Sequence, residues 1–255
     1  MASTVRSTHT EDASPLPPST RAVRCFDLGE TDYGEVLGLQ RRLQAARHEP
    51  ESADILLLTQ HRPVITLGRA HPEPDLRVAE SVVRAAGIEI VQTERGGDIT
   101  YHGPGQLVVY GIVDLRGWGI GVVDYLSGLE EVLIGALGDW GVPGQRSNHG
   151  RGVWVGDRKV ASVGLNVRRG VTMHGAALNV GPDLSHFDLI NACGMAEVRM
   201  TSLAAERRTS VEISQVGDSF VSHFGRVFGC STPKGEVAEL ARFAASPAPP
   251  RSATQ

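Results

Sequence analysis

The sequence predicts an α+β domain, a mixed β-sheet flanked by α-helices. Short runs rich in Val, Ile and Leu, bounded by Gly, Pro and Asp, cluster in the middle of the chain. Stretches with apolar residues at three- and four-residue spacing flank them, and the two kinds of segment do not alternate strictly as a βαβ fold requires. The chain has 255 residues, 41% hydrophobic and 21% charged, an ordinary globular composition long enough for a sizeable core.

Residues 1–20 are rich in Ser, Thr and Pro and read as a flexible tail. One folded domain is expected over 21–232, followed by a mostly flexible C-terminal extension over 233–255 that ends in SPAPPRSATQ. Asp32 and Glu35 stand at capping-box spacing before Val36, Leu37, Gln40 and Leu43, which predicts a helix with Arg41, Arg42 and Arg47 towards its far end. DILLLTQ and PVITLG read as short buried strands around a turn at His61–Pro63. VAESVVRAAG reads as a helix stopped by Gly87, and IEIVQT as the next strand. QLVVYGIVDL is a strand, and Leu126, Leu129, Leu133 and Leu137 set the period of a helix ending at Gly141. GVWVGDRKVASVGLNV reads as a hairpin turning at Gly156–Asp157, VTMHGAALNVG as one more strand, and ISQVGDSFVSHFGRVFG as a closing amphipathic helix.

Charge and cysteine usage exclude several classes. The net charge of −4 argues against a general nucleic-acid binder. Cys25, Cys193 and Cys230 lie far apart and form no CxxC pair, so neither a disulfide framework nor a zinc site is expected. The N-terminus has no apolar signal segment and the chain no apolar run long enough to span a membrane, so a cytoplasmic setting is expected.

Four motifs could carry chemistry. In RGGDITYHGPGQLVVY, Arg95 to Tyr110, no lysine follows Gly105 as in a phosphate loop, and no third glycine opens a helix as in a dinucleotide loop. The stretch is then either a tight turn between strands or the backbone wall of a groove, with His102 structural or catalytic. Lys159 follows a turn and reads as a solvated strand residue, or as a functional one beside Ala161, Ser162 and Gly164. Cys193 in INACGM is a small buried hydrophobe or a nucleophile; an ordinary thiol, pKa ~8.5, is only a few per cent thiolate at neutral pH, and a nearby ammonium such as Lys159 would lower that value. MHGAALNV repeats a His-Gly pair, so His102 and His174 are expected to face each other across a groove. No short-range carboxylate or cysteine accompanies either histidine, so a metal is not expected. From Arg146 to Gly170 six basic residues face one acid, a local surplus expected to steer an acidic partner.

In this order the motifs resemble those of the lipoyl(octanoyl) transferases, a family of the biotin/lipoate protein ligase superfamily. Its R-G-G-x-x-T-[aromatic]-H-x-x-G-Q signature is met from Arg95 to Gln106, and K-x-x-S-x-G by Lys159, Ser162 and Gly164. H-G-x-A-L-N is met by His174, Gly175, Ala177, Leu178 and Asn179. N-P-C-G is met by Asn191, Cys193 and Gly194, with Ala192 where the family usually has proline. The resemblance implies the biotin/lipoate ligase fold, with 21–232 as its catalytic domain. It implies transfer of octanoyl from octanoyl-acyl carrier protein to a lysine of a lipoyl domain, through a thioester on Cys193 whose pKa Lys159 lowers. The acceptors would be lipoyl domains of 2-oxoacid dehydrogenase complexes and glycine cleavage H protein. Arg95, Gly96, Gly97, Asp98, Ile99, Thr100, Tyr101 and His102 would line the acyl groove with Ser162, Val163, Gly164, Gly175, Ala176 and Ala177; no cofactor is implied. The alternatives are an ATP-dependent lipoate–protein ligase, a lipoyl amidotransferase and a non-catalytic acyl-carrier-binding module.

Overall fold

A computed structural model describes residues 21–49, 52–70, 75–148, 150–191 and 198–244. In chain order the elements are β1 (Val23–Thr31), α1 (Tyr33–Ala46), β2 (Asp54–His61), β3 (Val64–Leu67), α2 (Glu80–Ala85), β4 (Glu89–Gln92), β5 (Ile99–His102) and β6 (Gln106–Ile112). Then come α3 (Leu115–Trp118), α4 (Val122–Asp139), β7 (Gln145–Ser147), β8 (Gly150–Val155), β9 (Arg158–Arg168) and β10 (Val171–Asn179). The last are β11 (Arg199–Met200), α5 (Leu203–Arg207), α6 (Ile213–Phe228) and α7 (Leu240–Phe243).

The large sheet runs β1-β2-β6-β10-β9-β8-β7, with β11 added alongside β9, and a small sheet runs β4-β3-β5. In the large sheet β1/β2 and β11/β9 are parallel and the other pairs antiparallel, so the fold is mixed as the sequence predicts. One face of the large sheet packs Leu107, Val109, Ala176 and Leu178 against α4 and α6. The other packs Val108, Tyr110, Met173 and Ala177 towards Tyr33, Val36 and Leu37 of α1. A third cluster lies under the small sheet, where Ile65, Ile99 and Tyr101 meet Phe187 and Ile190.

Local chemistry explains the elements that were legible. The Asp32 carboxylate accepts the Glu35 N–H at 3.1 Å, the N-cap expected of that spacing. Gly87, Gly141 and Gly229 adopt positive φ just past their helices, and Gly156 does so in the β8–β9 turn. Three features were not foreseen. β1 was not predicted, because its register with β2 is interrupted between Asp27 and Glu30, which spoils the alternation. β2 and β3 do not pair across the His61–Pro63 turn; the turn carries the chain from the large sheet to the small one. Packing also continues beyond residue 232, as Gly235 N–H donates to Cys25 O at 2.8 Å, Leu240 is buried and Phe243 lies against Phe26.

Candidate functional site

The small sheet and α1 stand over one face of the large sheet and leave a cavity of about 550 Å³. Two rows of paired residues cross its floor, Ser162–Ala177–Val108 and Gly164–Gly175–Tyr110. Side chains on alternate residues of a strand share a face, so these rows lie on the same side of the sheet. The roof comes from Arg95 to Thr100, His102 and Tyr33, and Lys159 of β9 and Arg151 of β8 also line the cavity.

The glycine-rich stretch is a wall clamped to the protein itself. Gly68 N–H donates to Asp98 O, Arg69 N–H to Arg95 O, and Ala70 N–H to Gly97 O. On the other side Gly96 N–H donates to Leu165 O at 2.7 Å. A Cβ at Gly68 would come within 2.2 Å of Gly97 O, and one at Gly164 within 2.9 Å of Gly96 O. Small residues are required at both places so that two backbones can meet. The Gly96 amide is thus committed to the protein, which disfavours an anion cradle. Arg95 lines the cavity and is buried, its guanidinium bonded to Thr66 O at 2.6 Å and to the Thr66 hydroxyl.

Lys159 is 3% exposed, and its Nζ stands 5.5 Å from the centre of the Trp154 ring. Gly152 makes room for the lysine stem, since a Cβ there would lie 2.9 Å from Lys159 Cε. The position of Gly152 is set by buried Glu130, whose carboxylate accepts the Gly152 N–H at 2.9 Å and pairs with Arg146 and Arg151. Cys193 lies outside the described residues. Just before it, Asn191 is fixed by bonds to Asp75 O, to the Asp75 carboxylate and from Arg77 Nε.

Three buried histidines stand close together, His102 and His174 lining the cavity and His61 behind them with its ring 6.1 Å from that of His102. The His61 ring bonds the Tyr110 hydroxyl at 2.7 Å and the Thr31 hydroxyl at 3.1 Å, and His102 stacks on Tyr33 at 5.9 Å. Burial pushes His102 down to about 3, and His61 and His174 down to about 4. All three are therefore neutral at physiological pH. Burial likewise pushes the Tyr33 phenol up to about 12, so it stays protonated.

His174 has a backbone φ of 64°, a region rarely adopted by residues other than glycine. Its strand partner Leu165 and its neighbours Ala176 and Leu178 pack against the α4/α6 layer. Alternation would send His174 there too; instead its ring lines the cavity 6.3 Å from the Tyr110 ring. Neither ring nitrogen, both buried, has a hydrogen-bond partner among the described residues. Backbone strain of this kind clusters at functional sites.

Of the groove residues expected from the sequence, Arg95, Gly96, Gly97, Asp98, Ile99, Thr100, His102, Ser162, Val163, Gly164, Gly175, Ala176 and Ala177 all line the cavity, with Lys159. Tyr101 does not: it alternates away from His102 and gives its hydroxyl to a bond with His186 Nδ1 at 2.8 Å. His174 faces the same cavity as His102, as the repeated His-Gly pairs suggested. Tyr33, Ala70, Val108, Tyr110, Gly150 and Arg151 line it without having been assigned there. Tyr110 and Arg151 had a signal, the one ending the first motif and the other lying in the basic run; Tyr33 had none.

The basic run is not one patch. Nine strand positions separate Lys159 from Arg168, about 30 Å at ~3.3 Å per residue. Near Lys159 the charges are matched: Arg158 pairs with Glu206, and Arg146 and Arg151 pair with Glu130. Among the described residues no group of three or more His, Cys, Asp or Glu could hold a metal ion, and no helix is long and apolar enough to cross a membrane.

A mixed sheet roofed by a small sheet, with a lysine and a glycine-lined cavity between, defines a class. The chain belongs to the lipoyl protein ligase A/B catalytic domain family, matched over residues 32–225. It is 46% identical over 203 residues to the octanoyltransferase of Syntrophobacter fumaroxidans, covering 80% of this chain and 89% of the relative. It is 45% identical over 201 residues to the octanoyltransferase of Solibacter usitatus, covering 79% and 90%. The fold is similar to protein Ta0514, a putative lipoate protein ligase from T. acidophilum with bound lipoic acid, at a TM-score of 0.69 and 16% identity over 88% of this chain and 93% of that one.

Proposed function

We propose that this protein is an octanoyltransferase of protein lipoylation, an acyltransferase that takes octanoyl from octanoyl-acyl carrier protein and delivers it to a lysine of a lipoyl domain. The observation that carries the reading is the slot itself, small-residue rows on its floor and a buried lysine lining it. Lys159 to Gly164 spans five strand steps, about 16 Å. Three backbone bonds advance the chain ~3.6 Å, so an extended octanoyl group, with seven C–C bonds, needs about 8 Å. The slot accommodates the chain with room for its thioester. The names of relatives at 45–46% identity support the same activity.

In the first half-reaction the Cys193 thiolate attacks the thioester carbonyl, the bond to the carrier sulfur breaks, and the carrier thiol takes up the proton that Cys193 gave up. The Lys159 ammonium favours the thiolate by its charge. In the second half the acceptor lysine amine attacks the acyl-Cys193 carbonyl, the C–S bond breaks, and the amine proton returns to the Cys193 sulfur. Arg95 supplies a fixed positive charge beside the acyl groove, and burial of the slot excludes water from the thioester. The acceptors are lipoyl domains of 2-oxoacid dehydrogenase complexes and glycine cleavage H protein, and the setting is the cytoplasm. The thioester is already activated, so no nucleotide takes part.

Intact mass after incubation with octanoyl-acyl carrier protein tests the reading. The wild type should gain one octanoyl group with no nucleotide present and lose it on adding a lipoyl domain, while Cys193→Ala gains none. An adduct on Cys193→Ala would overturn the intermediate, and absolute dependence on ATP with free octanoate as donor would make the protein a ligase.

A further inference from the structure

A line of buried hydrogen bonds crosses from the small sheet to the large one. The His102 Nδ1 and Gln106 Oε1 atoms are 2.6 Å apart. Gln106 Nε2 donates to Asn179 Oδ1 at 2.9 Å and to Tyr101 O at 3.2 Å. Asn179 Nδ2 donates to Thr201 O at 3.0 Å, and Thr201 N–H donates to Lys159 O at 2.9 Å. Gln106, Asn179 and Thr201 are each at most 3% exposed.

The two ends of the line fix the direction of every bond. Thr201 O is a carbonyl and only accepts, so the Asn179 amide must turn its NH₂ to it and its oxygen to Gln106. Gln106 must then donate to Asn179 Oδ1, and the Tyr101 carbonyl on the same nitrogen demands the same orientation. Gln106 Oε1 is left as a pure acceptor, so the proton lies on His102 Nδ1. The ring is neutral, and Nε2 carries a lone pair on the side away from Gln106, at the cavity that the ring lines.

We propose that Gln106 and Asn179 are positioning residues of this site: they hold His102 in the Nδ1–H form, present its Nε2 to the cavity as a hydrogen-bond acceptor, and tie that ring to the backbone of Lys159. The substrate group that meets Nε2 is a donor, an N–H, O–H or S–H, and not a carboxylate or carbonyl oxygen. The groups facing the ring are Tyr33 of α1, His61 of β2, Arg95 of the preceding loop and His174 of β10. None is a carboxylate that would favour a second proton on it. The role in turnover rests on the transferase reading; the tautomer does not.

The experiment is a long-range ¹H–¹⁵N correlation spectrum of histidine-labelled, full-length protein, with His102 assigned by its loss in His102→Gln. Expected is an Nδ1–H ring with a bare Nε2, unchanged from pH 8 to pH 5. An Nε2–H ring, or titration with a midpoint near the ordinary histidine value, would overturn the proposal. Asn179→Leu leaves the Tyr101 carbonyl alone to orient the Gln106 amide, so it should admit a minor Nε2–H population and lower kcat roughly tenfold, one lost buried hydrogen bond, with KM for octanoyl-acyl carrier protein within about twofold. Gln106→Glu keeps an acceptor for Nδ1–H and adds a charge, so it should retain the tautomer and raise the pH at which the ring protonates. Asn179→Leu with a wild-type tautomer and kcat, or Gln106→Glu with an inverted tautomer, would refute the positioning role. The wild-type spectrum needs no turnover, so failure of octanoyl transfer would sink the functional reading while leaving the tautomer to be judged on its own.

Discussion

Acidification should unfold this protein through its three buried histidines, and His174→Asn should remove a defined share of that sensitivity. His61, His102 and His174 have native values of about 4, 3 and 4 against an ordinary 6.5. A depressed native value means that the unfolded chain binds more protons, so stability is present above pH 6.5 and is lost as pH falls towards 4. At pH 5 the unfolded chain holds nearly one proton on each ring and the native state almost none, a cost of about 2 kcal/mol per ring and about 6 kcal/mol for three. At pH 7 the same sum is about 0.5 kcal/mol, so moving from pH 7 to 5 removes roughly 5 kcal/mol, a large part of a typical domain's stability of ~5–15 kcal/mol. Burial sets the direction; Asp32 near His61 and Glu94 near His174 oppose it without reversing it. Asparagine does not titrate in this range and tolerates the positive φ of residue 174. His174→Asn should therefore recover about a third of the loss, close to 2 kcal/mol. Urea unfolding followed by tryptophan fluorescence between pH 8 and 5 measures both quantities. A wild-type stability flat across that range, or a His174→Asn profile parallel to the wild type, would refute the reasoning.

Lys159→Met should move iodoacetamide alkylation of Cys193 to higher pH and slow acyl transfer strongly; an unchanged alkylation profile would show that the lysine does not act on the thiol. Cys25→Ala and Cys230→Ala should keep full transfer and a single acyl adduct, since burial pushes these thiols up to about 12 and about 11 and both pack on the α4/α6 side of the sheet; loss of the adduct in either would contradict the assignment to Cys193. Gly164→Ala drives a methyl to within 2.9 Å of Gly96 O, and should cost about 1–3 kcal/mol in unfolding free energy and lower kcat/KM for octanoyl donors; wild-type stability and kinetics would mean that the loop gives way freely. Arg151→Glu, at the cavity, should raise KM for octanoyl-acyl carrier protein more than Arg168→Glu with Arg169→Glu, about 30 Å along β9 from Lys159; the reverse order would place docking at the far hairpin.

What the sequence determined by itself was what depends on neighbours in the chain. The Asp32 cap, the helix-ending glycines, the Gly156 turn and the apolar periods of β6, β9, β10, α4 and α6 all follow from spacing of a few residues. Most of the cavity lining was legible too, because three of the four motifs held Arg95–His102, Lys159 with Ser162–Gly164, and Gly175–Ala177 in readable order. The sheet partners were not legible. That β2 and β3 diverge into separate sheets depends on which strands find which edges, and pairing distance is invisible in a linear chain. The basic run looked continuous in sequence, but an extended strand carries its ends far apart and pairs its near members with Glu130 and Glu206. Tyr101 and His102 could not be told apart by motif; only their opposite strand faces sent one under the small sheet and the other to the slot. His174 is the sharpest case. Alternation assigns its side chain to the α4/α6 layer, and a positive φ turns it into the cavity. That choice is made by the packed surroundings, which hold one residue in a strained conformation its own sequence would not select.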